Sequence, residues 1–545
     1  MNFLECRRLL ISTLSPVHVG CGEDYDPTRY VIEDDTLYEF EPGAALAALT
    51  AQDRDQLLKI VSSPANDRML QQVQAFFYHR RQALISTASR RVPVGPKMVA
   101  FYQKRVGKTV QVEGDGSQLL NRLEIERNFF NPANGAPVLP GSSLKGAMRT
   151  ALLDAINAGQ PLPGQENNLA MQQRLFQYRE FEQDPMRLVQ LADALFQDGE
   201  GVGSELRFAV NRRRKPPKPG ERSAQSQAEQ RGLYQLLECV PATRFRAFAG
   251  RLTVQRLEGV TDRRDRLPAA DLRWNVSDIA AACNRFYRHQ LEAELNQMQE
   301  RGYLDADWAA LLDRLLGGLA GERLNRNEAF LLRVGRHSGA ESVTLNGTRN
   351  IKILLGKDVE TGKQRFEYRA TGTSRWLAAS DIQDRAGMLP FGWLLVELHP
   401  AESESPDWLE TREILTGFPT EYTAWIERER QRTRQRAETE ARRKAEEQAR
   451  QQAAATEAAL SPEQKAIAEL RRWFEEDRAA KRKEPGGRLA NRLNDLLKDG
   501  LSWPAAECET LAQLAEAIYG YLDWGSGKKK QERKAKIQQL RKGSA

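Results

Sequence analysis

Cysteine is scarce in this chain: five among 545 residues, at Cys6, Cys21, Cys239, Cys283 and Cys508. They are scattered and none forms a Cys-x-x-Cys pair, which argues against a disulfide framework and a zinc ribbon. Histidine is equally rare. His18, His79, His289, His337 and His399 show no metal-ligand spacing and no His-Glu-x-x-His. There is no Gly-x-Ser-x-Gly elbow, no Gly-rich phosphate loop ending in Gly-Lys-Ser/Thr, and no dinucleotide fingerprint. No run approaches the roughly 18 apolar residues of a membrane span. The opening Met1 to Arg8 lacks the basic-then-apolar order of an export signal. No repeat recurs at a fixed period. The expectation is a cytoplasmic protein with no cofactor, no bound metal and no membrane contact.

What is present is charge. Apolar residues make up 40% and charged residues 28%, so part of the chain must be heavily solvated. At about 150 residues per domain the length suits three or four domains. The net charge is +7, from 81 Lys+Arg against 74 Asp+Glu, an excess that permits a polyanion partner without requiring one.

Local patterns predict a strand over 5–13 and a pair of short strands at 30–32 and 36–40 around the acidic turn Glu33-Asp34-Asp35. Helical periodicity runs over 43–85 and again over 275–325. Residues 238–254 read as strand, turn, strand; 328–355 contain strand-like runs; 389–398 read as a turn into a buried strand. Residues 427–450 hold nine Lys+Arg and six Asp+Glu with almost no apolar residue, which predicts a solvated charged helix. Ser461-Pro462 opens an amphipathic stretch, with Ser at the cap and Pro at the first position. Lys528 to Ala545 carries eight basic residues and one acidic one and reads as a frayed basic tail.

Four motifs could carry chemistry. Val138 to Leu153 places Ser142 or Ser143 as a helix N-cap, with Lys145 and Arg149 four apart on one face. It could grip a phosphate backbone, or be a plain capped helix with solvated cations. Pro16 to Gly22 follows a strand; Gly20 and Gly22 would allow close backbone approach to a ligand, and His18 could act as acid, base or stacking partner. A turn with a surface histidine is the plainer reading of the same residues. Arg333-Val334-Gly335-Arg336-His337-Ser338-Gly339 suits a loop folded over a sugar–phosphate chain or a glycine-closed hairpin. Arg212, Arg213 and Arg214 open a basic Pro-rich segment that would favour polyanions by counterion release, or serve as a linker.

Taken together, these motifs resemble the RAMP superfamily of CRISPR effector subunits. Pro140-Gly141-Ser142-Ser143-Leu144-Lys145-Gly146 is similar to that superfamily's signature. The order of Asp184–Asp193, Glu238–Thr243, Arg333–Gly339 and Pro390–Trp393 resembles the fifth subunit of the type III-A (Csm) effector complex. The resemblance covers roughly residues 5–400. It implies an α+β fold of two ferredoxin-like, RNA-recognition-type modules with helical insertions, at 1–210 and 233–425, joined by a basic flexible loop at 211–232. A charged helical linker (426–460), a small helical bundle (461–527) and the basic tail (528–545) would follow.

The resemblance also implies a non-catalytic RNA-binding subunit of a type III ribonucleoprotein in antiviral defence. It would cap the filament end at the 3′ part of the guide RNA and aid guide maturation by recruiting host ribonucleases. Its partners would be guide RNA, a neighbouring RAMP backbone subunit and a small helical subunit. His18, Gly20, Gly22, Ser142, Ser143, Lys145, Arg149, Arg212, Arg213, Arg214, Arg333, Gly335, Arg336 and His337 become candidate RNA-binding residues. Two alternatives remain within the family: a metal-independent endoribonuclease using His18 as acid or base, and a subunit of a type III-B or III-D complex. A generic protein-binding adaptor is the reading outside it.

Overall fold

The computed structural model describes residues 3–64, 67–107, 111–112, 118–119, 123–164, 166–197, 203–215, 232–257, 260, 266–358, 360–402, 408–419 and 422–542. The chain divides into two compact units, Met1–Arg428 and Glu429–Ala545.

The first unit is a mixed α/β body. Its two main sheets use β1 (Leu4–Thr13), β2 (Gly20–Tyr25), β3 (Ile125–Asn128), β4 (Val138–Leu139), β5 (Val189–Leu191), β6 (Ala194–Phe196), β7 (Glu205–Arg213), β8 (Tyr234–Cys239), β9 (Phe248–Gln255), β10 (Ala329–Arg333), β11 (Ser374–Ala379) and β12 (Trp393–Pro400). One sheet runs β10–β12–β1–β9–β6–β4, with β5 also on β9. All its pairs are antiparallel. The other runs β11–β7–β8–β3–β2, with a single parallel pair, β8 on β3. Helix α1 (Gly141–Asn157) lies in the chain between β1 and β5, and α2 (Val276–Glu300) between β9 and β12. The path β1–α1–β5/β6–β9–α2–β12 is therefore βαββαβ, and its strands lie in the order last, first, third, second.

The architecture differs from two consecutive modules. Both sheets take strands from either side of 211–232, so the halves expected at 1–210 and 233–425 are interleaved. The physical reason lies in β1. Its first five residues are exposed or partly buried, and its last five residues are all buried. Such a strand needs a neighbour on each edge and cover on each face. It finds its edge partners in β9 and β12, so Arg7 lies opposite both Leu252 and Pro400.

Helix α1 buries Leu144, Ala147, Met148, Ala151 and Leu152 on one stripe, as the spacing predicts; each fully buried leucine contributes about 1.5–3 kcal/mol. Its start differs from the sequence reading. Neither Ser142 nor Ser143 caps it. The helix begins at Gly141, whose N–H donates to the Asp193 carboxylate at 2.7 Å. A Cβ at Gly141 would stand 2.6 Å from the Leu191 carbonyl oxygen, so the close approach that brings Asp193 into capping range requires glycine. The acidic hairpin expected near residue 34 is present, Tyr30–Glu33 against Thr36–Glu39. Residues 42–105 add short helices with a core of their own around Phe40, Phe76, Phe77 and Leu84.

Helix α3 (Thr423–Ala459) realises the charged linker. Its first turns are held by Trp425, whose Nε1 donates to Thr36 Oγ1 at 2.9 Å, and by an Arg428–Asp35 ion pair. In the second unit, α4 (Pro462–Ala479) opens with a capping box of Ser461 and Gln464. It packs with α5 (Arg488–Asp499), α6 (Ala505–Leu522) and α7 (Lys528–Lys542) around Leu470, Leu493, Leu511, Ile518 and Leu540. The expected frayed tail is thus a docked helix as far as Lys542, because Ile537 and Leu540, three apart, enter the core; 543–545 lie outside the described residues. Of the expected basic loop, Arg212 and Arg213 end β7, and 216–231 lie outside the described residues.

Candidate nucleic-acid interface

Two of the four motifs meet through their backbones. Beyond β1, Leu14 N–H donates to the Trp393 carbonyl at 2.9 Å, Val17 and Val240 exchange bonds of 3.0 and 2.8 Å, and Gly392 N–H donates to the Pro16 carbonyl at 2.9 Å. Residues 14–18 are therefore pinned as they leave the sheet. The chain leaving β10 folds back on them. At Gly335, φ is +81°, and a Cβ there would stand 2.2 Å from the His18 carbonyl oxygen. Arg336 N–H donates to that oxygen at 2.8 Å. The glycine is required both for its torsion and for this contact.

The His18 ring is fully buried. Its Nδ1 lies 2.7 Å from the Glu238 carbonyl oxygen, which places the proton on Nδ1. Its Nε2 has no hydrogen-bond partner among the described residues and lies 3.3 Å from where a Cβ of Gly20 would be. Burial pushes the ring's pKa below its ordinary value, so it is neutral at pH 7. Glu238, also fully buried, is paired with Arg90 and accepts from Asn128 N–H at 3.1 Å. Asn128 Oδ1 accepts from Val19 N–H at 2.8 Å, and Phe129 N–H donates to the Val19 carbonyl at 2.6 Å.

His337 has φ of +63°. It stacks on Trp376, with ring centroids 4.8 Å apart, and its Nε2 lies 2.7 Å from Gln235 Oε1. Burial, helped by the nearby Arg336 guanidinium, lowers its pKa to about 3. Arg336 is exposed and paired with Glu126. Arg333 is buried: its Nη2 meets Glu294 at 2.8 Å and its Nε donates to the Phe391 carbonyl at 2.9 Å. Glu294 also receives Trp393 Nε1 at 2.6 Å and pairs with Arg375, whose pKa burial lowers to about 10.

The remaining candidates divide. Gly20 and Gly22 lie in β2 rather than in a turn, where the pairing with β3 shifts register; Gly22 has φ of +82° and open space around it. Arg212 is buried and donates to the carbonyls of Ile382 and Asp384 at 2.8 Å. Arg213, partly buried, sits at the end of β7 opposite Ser374. Arg214 pairs with Glu341, whose carboxyl is raised by burial but held down at about 2 by that guanidinium and by hydrogen bonds. On α1, Ser142 is exposed and Ser143 half-buried. Arg149 is bound to Asp184 at 2.9 Å, donates to Gln172 at 2.8 Å and lies over the Phe176 ring. Lys145, one turn earlier and partly exposed, makes no ion pair among the described residues. Burial lowers its pKa, and Asp184 partly offsets this.

A family model described as the RAMP superfamily matches residues 10–319, more than half of the chain. The chain belongs to the RAMP superfamily. The RAMP match takes in the His18 turn, α1 and Glu238, and ends before the glycine loop at 335–339. Among curated proteins the chain is similar to the CRISPR system Cms protein Csm5 of Streptococcus thermophilus, 24% identical over 152 residues. That alignment spans 27% of this chain and 38% of the relative, little more than a third of the latter's length. Among solved structures, a chain of a Csm–crRNA–target RNA ternary complex of a type III-A CRISPR-Cas system is 15% identical, covers 72% of this chain and all of that one, and gives a TM-score of 0.42. The crystal structure of T. onnurineus Csm5 is 15% identical, covers 71% and 99%, and gives 0.40.

This RAMP junction holds its shape mainly by backbone contacts and buried ion pairs. It presents Gly20 and Gly22 at the surface and keeps the His18 and His337 imidazoles neutral. Sequence reasoning placed Glu238 in a motif without giving it a role, and missed Arg90, Asn128 and Glu294. For Glu238 and Glu294 a signal existed: a lone carboxylate inside an otherwise apolar strand, Leu236-Leu237-Glu238-Cys239-Val240, and one on the buried face of α2. Among the described residues, no group of three or more His, Cys, Asp or Glu side chains is placed to hold a metal ion. No helix there is long and apolar enough to cross a membrane.

Proposed function

We propose that this chain is a non-catalytic RNA-binding structural subunit of a cytoplasmic type III CRISPR ribonucleoprotein. It would sit at the filament end that holds the 3′ part of the guide RNA, against a neighbouring RAMP backbone subunit and a small helical subunit, with host ribonucleases trimming the guide. We read the βαββαβ path of the first unit as a ferredoxin-like module. The observation that carries the proposal is the junction of the Pro16–Gly22 and Gly335–Gly339 segments in a chain of the RAMP superfamily. It leaves Gly20 and Gly22 on the sheet rim, where a sugar–phosphate chain can approach the backbone. The likeness to Csm5 of Streptococcus thermophilus supports the choice of complex. The burial of His18 favours a structural role over that of an acid or base, since a reacting ribose would have to reach Nε2 beneath Gly20.

Reconstitution of the complex with and without this chain tests the reading. The expected result is a guide whose 3′ end is retained only when the chain is present. Lys145→Ala should weaken that retention about threefold to tenfold, the loss of roughly one phosphate contact, without changing stability. Guide of identical length and amount in both preparations overturns the proposal. Repeat RNA cut in EDTA by the wild-type chain and left intact by His18→Ala would establish the endoribonuclease instead.

A further inference from the structure

The chain's net charge of +7 is not spread over it. Residues 1–428 hold 55 cationic and 55 acidic side chains, and residues 429–527 hold 18 of each. The whole excess lies in α7, with eight Lys+Arg against Glu532 alone. Within α7, Arg541 meets Glu509 at 3.0 Å and Glu516 at 2.9 Å, and Arg533 lies over the Tyr519 ring. Lys528, Lys529, Lys530, Lys534, Lys536 and Lys542 are exposed and make no ion pair among the described residues.

The placement of the cations in the first two turns opposes helix stability. Lys528 to Lys530 stand at the positive end of the helix dipole. Lys529 with Arg533, and Lys530 with Lys534, are like charges four apart. Ile537 and Leu540 hold the helix down in spite of that repulsion. A bound polyanion would remove it.

We propose that α7 is a second RNA-binding surface, taking the sugar–phosphate backbone without reading bases. A membrane-surface helix needs an apolar face for lipid, and the apolar face of α7 is already buried in the bundle. A protein hot spot needs exposed aromatic or aliphatic anchors; the exposed residues between the lysines are Gln531, Glu532, Ala535, Gln538, Gln539 and Arg541, none of them such an anchor. What remains is dense positive charge with amide side chains, which suits phosphates and ribose hydroxyls. The site lies outside the residues matched by the family and is independent of the junction around His18.

The test uses the full chain with all six lysines changed to Gln, and a second variant with the same six changed to Arg. Binding of a 40-nucleotide single-stranded RNA is measured across a salt series. Each phosphate contact contributes about 0.7 to the slope of log affinity against log salt for a single strand. The Gln variant should lower the slope by about 2–4 and the affinity at 0.1 M salt by at least tenfold, whereas the Arg variant should match wild type. Thermal unfolding of the Gln variant should be unchanged or raised, since repulsion is relieved. An unchanged slope overturns the proposal, as does a Gln variant that unfolds earlier. Binding to phosphatidylserine vesicles that is lost in the Gln variant while RNA binding persists also overturns it, in favour of a membrane surface. Lys145→Ala measured alongside separates the two surfaces: a null effect there counts against the reading of the first unit and leaves the α7 result intact.

Discussion

Replacing Gly335 with alanine puts the closure of the glycine loop to a quantitative test. The φ of +81° costs an L-residue about 1–2 kcal/mol. The added methyl would stand 2.2 Å from the His18 carbonyl oxygen, so backbone must move, at a further cost of about 1–3 kcal/mol by analogy with overpacked cores. Gly22 supplies the control. It has nearly the same torsion, +82°, and nothing within 4 Å of its would-be Cβ, so Gly22→Ala should cost only the torsional part. The Arg336 amide reports the difference, because its N–H donates to the same His18 oxygen at 2.8 Å. In native-state hydrogen exchange, Gly335→Ala should speed exchange at Arg336 by about 5- to 150-fold beyond Gly22→Ala, the equivalent of 1–3 kcal/mol. Equal exchange in the two variants would mean that the loop does not rest on His18, and the junction as described would be wrong.

Two other perturbations follow from buried charge and titration. Glu238→Ala leaves the Arg90 guanidinium and the Asn128 amide without their acceptor and should destabilise the first unit by about 3–5 kcal/mol in guanidinium unfolding; a change under about 0.5 kcal/mol would refute the pairing. His337 has a folded pKa of about 3 against an ordinary value near 6.5, so the unfolded chain takes up the proton first. Stability should therefore fall as pH drops from about 6.5 toward 3, and His337→Asn, which tolerates the positive φ, should flatten that part of the curve; a wild-type profile no steeper than the variant's would contradict it.

Local elements were legible where one face meets core and the other meets water. The stripe of α1, the hairpin at 30–39 and the Ser461 capping box all follow from spacing. Strand partnership was not legible. Nothing in residues 4–13 says that their neighbours lie at 248–255 and 393–400, so a reading by segments yields two consecutive modules where the chain builds interleaved sheets. Short strands such as Ile125–Asn128 carry too few residues to show a period. The docking of α7 rests on two apolar side chains among eight cations, a signal that composition hides. Among the candidate residues, Gly335 owes its identity to the close approach of the His18 carbonyl oxygen. Arginine identity did not separate Arg212 and Arg333, which hold strands together from inside, from cations at the surface.

The central place of β1 has a consequence for how the molecule comes to exist. Its inner edge neighbour β12 is translated roughly 380 residues after it. Until then the segment leaves the ribosome with a bare hydrogen-bonding edge and a run of apolar side chains, the condition that invites pairing with the wrong strand. Contacts so distant in sequence also form slowly. Synthesis of this protein should therefore depend on a holdase that shields its earliest strand, and a nascent chain stalled before residue 393 should aggregate where one stalled beyond 428 folds.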